Sequence, residues 1–197
     1  MRQFRLGTTR FTNKTFKENK QWRKKHNWEG CIYGTGIPIA KTPYWRRIDR
    51  DEKIFILEMN NETNKIEGIG YIMNHIRHDF DAQIYKDKSY NRYIYRSNHR
   101  LDRAQIKNTK LLEFLEYILF NGKGHLKRGQ GITLIETKWN SLYNHKRQMF
   151  LPKRMLKPLI MKELEKGKSS KFIIKKYRNI QRNLLAFFDN CFAKSKN

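Results

Sequence analysis

Two short apolar runs near the middle of the chain set the strongest constraint on its fold. Residues 52–61 (EKIFILEMNN) and 65–74 (KIEGIGYIMN) are rich in β-branched and aromatic side chains, and the polar step 59–65 joins them. Runs of this length, bounded by Asn and Gly, are typical of β-strands connected by a hairpin loop. The Asn residues of the loop also tolerate a left-handed backbone. The sequence therefore predicts an antiparallel strand pair within a sheet.

Further extended segments are expected on both sides of this pair. The segment WEGCIYGTGIP, which begins at Trp28, has the same mixture of apolar and turn-forming residues. Residues 83–86 and 92–96 alternate apolar and polar side chains, with 88–91 as the turn between them. These segments predict additional strands.

Three helices are expected after the strands. The first runs from Asn108 or Thr109 to Phe120, because polar caps precede a leucine-rich face of helical spacing and Asn121 follows it. A shorter helix is expected over 157–165. A long one begins near Ser169 or Ser170 and carries both an apolar face and a basic face. The fold class predicted is α+β.

Basic residues are concentrated toward the two ends of the chain. Residues 1–50 contain 13 Lys and Arg against 3 Asp and Glu, residues 51–121 contain 11 of each, and residues 122–197 contain 19 against 4. The formal net charge is +25. Such an excess repels itself unless a polyanion neutralises it, and bound nucleic-acid phosphates release condensed counterions. The charge therefore predicts a nucleic-acid partner.

The charge pattern also suggests a division of the chain. Residues 1–27 are highly charged and poor in aliphatic side chains, which favours a partly ordered basic arm. A core domain is predicted over 28–136 and a basic helical extension over 137–197. No apolar run reaches the roughly 18 to 20 residues that cross a bilayer, and the first residues lack the apolar stretch of a signal peptide. We expect a soluble intracellular protein without a membrane partner.

Two segments carry the residue types that contact nucleic acid. In 122–131 (GKGHLKRGQG) four glycines alternate with cationic and amide donors that suit phosphates or a base edge, although a solvated basic loop has the same composition. In 32–47 aromatic side chains stand beside small polar residues and cations, the groups that stack on and bind unpaired bases. For each single aromatic residue there, packing in the core is the alternative.

Catalytic and metal-binding patterns are weak. His75 and His78 precede Asp79 and Asp81, so a metal site is conceivable, but their spacing matches no established ligand motif. No GxSxG or HExxH motif is present. Cys31 and Cys191 are too few for a disulfide framework and are interpreted as reduced structural residues. We expect a non-catalytic protein without metal or cofactor.

The strand pair resembles a known architecture. Residues 52–61, followed by 64–72 with its Gly68-Ile69-Gly70 step, are similar to the central strands of PUA-like folds, particularly the YTH and EVE branch. In that comparison 31–36 and Tyr44-Trp45 take the places of the first strand, its loop and an aromatic pocket residue. With the later HLKRGQG segment, the chain also resembles an uncharacterised family of proteins in large DNA viruses. The resemblance covers about Trp28 to Leu134.

The resemblance implies a small mixed β-barrel with helices packed against it. It also implies a pocket for a flipped or single-stranded base, with a modified base as one option. Together with the basic surface, this predicts a nucleic-acid-binding protein, with RNA favoured over DNA. The residues predicted to make the contacts are Tyr33, Thr35, Trp45, Arg46, Arg47, Asn61, His125, Lys127, Arg128, Gln130, Lys175, Lys176, Arg178 and Arg182.

Two other functions fit the same sequence. A virion protein that packages a genome would neutralise DNA through charge alone, without a base pocket. A metal-dependent enzyme that processes nucleic acid would use His75, His78 and Asp79 near its metal. Salt resistance, base preference and a requirement for divalent metal separate these alternatives from a base-reading protein.

Overall fold

The chain forms two compact units. The first, which we call the sheet unit, comprises Met1–Lys107 and Lys127–Leu134; the second, the helical unit, comprises Asn108–Leu126 and Ile135–Asn197. The computed structural model describes residues 5–39, 52–77, 82–121, 125–128, 131–135 and 153–191, the last range with only part of its side chains. The α+β class is confirmed, but the division differs from the predicted core of 28–136, because helix 109–120 belongs to the helical unit.

The sheet unit contains all seven strands of the described residues. They are β1 (Arg5–Phe11), β2 (Cys31–Thr35), β3 (Lys53–Asn60), β4 (Lys65–Met73), β5 (Tyr93–Ser97), β6 (His99–Asp102) and β7 (Thr133–Leu134). A five-stranded sheet has the order β6-β4-β3-β1-β7, and β2 pairs with β5 in a second sheet. Among the pairs that these seven strands form, β1–β3 is parallel and the others are antiparallel. Over these described residues the two sheets do not close into a barrel.

The predicted hairpin is confirmed. β3 and β4 pair antiparallel from Lys53 opposite Met73 to Asn60 opposite Lys65, with a bulge between Glu58 and Met59. The loop of residues 61–64 ends at Asn64, whose φ of 54° lies in the left-handed region. Asn60 fixes the start of the loop, because its Oδ1 accepts a hydrogen bond of 3.1 Å from the backbone N–H of Glu62.

The interpretation of residues 1–27 as a partly ordered arm is wrong for residues 5–25. Residues Arg5–Phe11 form β1, which pairs with β3 on one side and with β7 on the other. Helix α1 follows at Asn13–Lys25, with Thr12 and Thr15 forming a capping box. The central residues of β1 are Gly, Thr and Thr, so a buried strand gives no apolar alternation in the sequence. Its place in the sheet depends on pairing with distant segments.

The expected strand at 83–86 is also wrong. Residues 82–87 have no strand pairing, because the side chain of Asn91 takes the place of a neighbouring strand. Its Oδ1 accepts from the backbone N–H groups of Ile84 and Tyr85, at 3.1 and 3.0 Å, and its Nδ2 donates to the carbonyl of Tyr85 at 2.7 Å. The expected turn is a 3₁₀ turn, Lys88–Asn91.

The three helices predicted in the later part of the chain are confirmed as α2 (Thr109–Phe120), α3 (Lys153–Glu165) and α4 (Ser170–Cys191). Asn108 caps α2, since its Oδ1 accepts from the backbone N–H of Leu111 at 3.1 Å. Leu184 and Phe188 of α4 are fully buried. None of the helices in the described ranges has the length and apolar character needed to cross a membrane.

A buried ion pair connects β3 with β6 across the intervening strand β4. Arg100 donates from Nε and Nη2 to the two carboxylate oxygens of Glu58, at 2.9 and 2.7 Å. Their side chains are only 1% and 2% exposed. Burial opposes the charge of Arg100, but Glu58, Asp102 and Tyr33 together outweigh burial and raise the pKa of the guanidinium. Arg100 also donates to Asp102, which is largely exposed.

The glycines of β4 make room for this ion pair. Gly68 lies opposite Glu58 and a side chain there would collide, because its Cβ would stand 2.7 Å from both Arg100 Nη2 and Glu58 Oε2. A Cβ at Gly70 would stand 2.0 Å from the hydroxyl of Tyr33, which donates to Glu58 Oε1 at 2.8 Å. The Gly-x-Gly step therefore has a steric explanation. A side chain at either glycine would occupy the space taken by the hydrogen-bonded side chains of Tyr33, Glu58 and Arg100.

Candidate nucleic-acid interface

A small pocket opens where β1 and β3 end in the sheet unit. We call it the Arg10 pocket; its volume is about 190 Å³. The side chains of its lining that carry hydrogen-bonding or stacking groups include those of Arg10, Asn61, Tyr85, Tyr90 and Lys127. Among the described residues that line it there is no Asp or Glu. The pocket is therefore cationic.

Arg10 supplies the positive charge inside the pocket. It is the sixth residue of β1 and is half-buried, and its Nη1 donates to the carbonyl of Gly131 at 3.2 Å. Burial lowers the pKa of Arg10 to about 10, so the guanidinium stays protonated at neutral pH. A cation held in a partly desolvated site interacts more strongly with an anionic or polar ligand than one in open water.

Asn61 is placed beside Arg10 by backbone and side-chain bonds. Its backbone N–H donates to the carbonyl of Phe11 at 2.9 Å, and its Nδ2 donates to the carbonyl of Lys127 at 2.9 Å. The second bond settles the orientation of the amide. The amide oxygen is buried and accepts no hydrogen bond from the described residues. A buried acceptor of this kind is destabilising unless a ligand or water donates to it.

Tyr90 offers an aromatic surface at the pocket. It lies on the 3₁₀ turn with 42% of its area exposed, and it meets Tyr85 edge to face at 6.3 Å between ring centroids. Tyr85 is buried, and its hydroxyl accepts from Asn19 at 3.2 Å. The turn approaches β2 closely, because a Cβ at Gly34 would stand 2.4 Å from the carbonyl oxygen of Tyr90. The absence of a side chain at Gly34 therefore allows the turn that carries Tyr90 to lie this close to β2.

These groups suit a nucleobase better than a simple anion. A backbone phosphodiester, or another anion that carries no proton, would accept hydrogen bonds from Arg10 and Lys127 but has no donor for the amide oxygen of Asn61. A base edge presents donors and acceptors side by side, and its face stacks on an aromatic ring. The volume of the pocket admits one base and excludes a duplex.

Two of the predicted contact residues meet in this pocket. Asn61 and Lys127 are distant in sequence, and the 2.9 Å bond from the side chain of Asn61 to the backbone of Lys127 brings them together. The placement predicted for Tyr33 and Thr35 is wrong. Tyr33 is 1% exposed and bound to Glu58, and the buried hydroxyl of Thr35 donates to the carbonyl of Ile37 at 2.7 Å. Both are committed to the interior of the sheet unit.

The other predicted residues lie elsewhere. Arg128 is exposed in the sheet unit, whereas His125 belongs to the helical unit. Lys175, Lys176 and Arg182 are exposed on α4, where Lys176 pairs with Glu163 of α3 at 2.7 Å. Trp45, Arg46, Arg47, Gln130 and the side chain of Arg178 lie outside the described residues.

The sequence pattern did not identify Arg10 and Tyr90 as binding residues, because it placed Arg10 in a basic arm and Tyr90 in a turn. Arg10 falls in the segment interpreted as an arm, and only the pairing of β1 with β3 makes it part of a pocket. Tyr90 falls in a segment correctly expected to turn. A large aromatic residue within a polar turn was the available signal, since such a side chain has little core to enter.

Among the described residues, no group of three or more His, Cys, Asp or Glu is placed to hold a metal ion. His78, Asp79 and Asp81 of the alternative metal site lie outside the described residues. Comparisons with protein-family models, with curated proteins and with solved structures gave no match to this chain.

Proposed function

We propose that the sheet unit binds single-stranded nucleic acid and receives one base in the Arg10 pocket. The observation that supports this most directly is the buried amide oxygen of Asn61, which accepts no hydrogen bond from the described residues. Asn61 lines the same pocket as Arg10, Lys127 and the exposed ring of Tyr90. A base edge supplies the missing donor, and its face stacks on the tyrosine. The net charge of +25 supplies the attraction for the backbone.

RNA is the preferred partner in this proposal. Sequence-specific binding of RNA usually takes place at unpaired bases, which reach a pocket of this size without unwinding a duplex. The exposed cations Lys175, Lys176 and Arg182 of the helical unit add phosphate contacts that carry no sequence preference. An intracellular location belongs to the same proposal, since the partner is nucleic acid.

We also propose that the sheet unit is a variant of the PUA-like architecture. The β3–β4 hairpin with its Gly-x-Gly strand supports the relationship, and the parallel strand β1 beside β3 makes the sheet mixed. The second sheet, β2 with β5, has no strand pairing with the five-stranded sheet among the described residues, although Tyr33 of β2 donates to Glu58 of β3. A modified base as ligand is tested by comparing methylated and unmodified oligonucleotides of the same sequence.

Replacing Tyr90 with alanine is expected to weaken the binding of a short single-stranded RNA by about 5- to 150-fold, which corresponds to roughly 1–3 kcal/mol of lost stacking. Tyr90→Phe keeps the ring and is expected to bind as the wild type does. Fluorescence anisotropy of labelled RNA measures both constants. Equal affinity of the alanine and phenylalanine variants would remove the aromatic surface from the proposal.

Replacing Lys127 and Arg128 together with alanine is expected to weaken binding to all sequences alike and to flatten its salt dependence. Each phosphate contact removed should lower the slope of log K against log salt by about 0.7 to 1. Filter binding at several salt concentrations gives the slope. Lys17→Ala with Lys20→Ala, two exposed cations of α1 that do not line the pocket, removes the same charge. An equal change in both double variants would show that only net charge matters.

A further inference from the structure

A second concave surface of the sheet unit lies at the opposite end of β3. We call it the Arg96 cleft; its volume is about 980 Å³. One side of the cleft is formed by Lys53, the first residue of β3, and Met73, the last residue of β4. These two residues stand opposite each other in the sheet. Its other side is formed by residues 96–99, where β5 passes into β6. None of the predicted contact residues lies in it.

Its charged side chains are of one sign. Lys53, Arg77 and Arg96 line the cleft, and His75 and His99 add two imidazoles. No carboxylate is found among the described residues of the lining. Arg77 is exposed while its backbone N–H donates to the carbonyl of Ile94 at 2.8 Å, which ties its segment to β5. A concave surface with cations of fixed position focuses its potential on an anionic ligand.

Planar groups are stacked in the same cleft. The guanidinium of Arg96 lies 3.5 Å from the centroid of the Trp28 ring, and the Nε1 of Trp28 donates to the carbonyl of Cys31 at 3.2 Å. The hydrogen bond fixes the indole, and the indole in turn orients the guanidinium. Tyr71 also lines the cleft and meets His99 edge to face, with 5.7 Å between the two ring centroids. Unpaired bases stack on aromatic rings and on guanidinium planes of this kind.

The cleft is separate from the Arg10 pocket. The eight residues of β3 span about 22 to 24 Å at the usual rise per strand residue, with Lys53 at one end and Asn60, the neighbour of Asn61, at the other. The volume of the cleft, about 980 Å³, is also several times that of the pocket. It suits a segment of chain rather than one base.

We propose that the Arg96 cleft binds a second segment of single-stranded nucleic acid, with phosphates on Lys53 and Arg77 and a base stacked on the Arg96–Trp28 layer. The inference rests on the proposed nucleic-acid binding and adds a site to it. An acidic protein segment would satisfy the cations equally well. An acidic protein segment has no planar base to stack on the Arg96–Trp28 layer, whereas a polynucleotide does. The observations therefore favour a polynucleotide.

The test uses the full chain and a labelled single-stranded RNA of about 15 nucleotides, roughly twice the length that covers β3 at 3.4 Å per nucleotide. Lys53→Ala with Arg77→Ala is expected to weaken binding about tenfold or more at low salt. The slope of log K against log salt should fall by about 1.4, or 0.7 for each contact of a single strand. Lys17→Ala with Lys20→Ala is the control and should change the slope by less than half as much.

The possible results distinguish failure of the proposed function from failure of the Arg96 cleft. If the wild-type chain binds no oligonucleotide, the proposed function fails and the cleft fails with it. If the wild type binds and the Lys53 and Arg77 variant keeps its affinity and slope, only the cleft is overturned. Polyglutamate that displaces RNA as well as polyuridylate of equal charge does would also overturn it, because stacking would then contribute nothing. Should the double variant not fold, Arg77→Ala alone, at an exposed position, gives half the expected slope change.

Discussion

Replacing Glu58 with alanine is expected to lower the free energy of unfolding by about 3–5 kcal/mol. The side chain of Arg100 is 1% exposed, and without Glu58 its buried charge would keep the exposed Asp102 as its carboxylate partner among the described residues. Tyr33 would lose the acceptor of its hydroxyl at the same time. Urea denaturation followed by far-ultraviolet circular dichroism measures the loss.

A second ion pair of the sheet unit provides the matched control. Glu52 accepts from Arg5 at 2.6 Å, but both side chains are about a fifth exposed. Solvent screens such a pair, so Glu52→Ala is expected to cost about 1 kcal/mol or less. A double variant, Glu58→Met with Arg100→Met, should recover part of the loss because no buried charge is left. Similar losses in the Glu58 and Glu52 variants would contradict the importance of burial.

Replacing Gly70 with alanine is expected to destabilise the chain by about 2–5 kcal/mol. The added Cβ would stand 2.0 Å from the hydroxyl of Tyr33, so the phenol must move. Overpacking of this kind costs about 1–3 kcal/mol, and the displaced hydroxyl also weakens its bond to Glu58. The same urea titration applies.

Gly7 in β1 is the control for Gly70. A Cβ there would meet the Cδ1 atom of Ile56 at 3.0 Å, the end of a flexible side chain that can shift. Gly7→Ala should therefore cost much less. Combining Gly70→Ala with Tyr33→Phe removes the nearest colliding atom and leaves Tyr33 Cζ at 2.9 Å and Cys31 Cβ at 3.0 Å from the added Cβ. The double variant should therefore lose less stability than the two single losses added together, while remaining less stable than Tyr33→Phe alone. Additive losses would place the strain somewhere other than the Tyr33 hydroxyl.

Glu58, Arg100 and Gly70 lie in the part of the sheet between the Arg10 pocket and the Arg96 cleft. Glu58 stands two residues before the end of β3 at the Arg10 pocket, and β3 begins at Lys53 in the Arg96 cleft. The ion pair ties β3 to β6, whose first residue, His99, also lines the cleft. The side chains of Glu58 and Arg100 are almost fully buried, so they are not placed to contact a ligand. Their role is structural, because the pair connects the strands that lie between the two proposed sites.

Local sequence patterns correctly predicted the strands and helices that are stabilised by interactions between neighbouring residues in the chain. The β3–β4 hairpin follows from two apolar runs and an Asn-rich loop, and α2 follows from leucines of helical spacing after the cap at Asn108. The same holds for the start of α4 near Ser170. In each case a hydrogen bond or a periodicity within a few residues determines the element.

The amino-acid sequence by itself determined the hairpin, the later helices and the excess of positive charge. Only the tertiary structure decided that β1 enters the sheet beside β3, that Glu58 and Arg100 pair across two glycines, and that Arg10 joins Asn61 and Lys127. Those arrangements join segments that are far apart in the chain. Their stability comes from strand pairing, burial and charge compensation, and none of these leaves a periodic signal within a single segment.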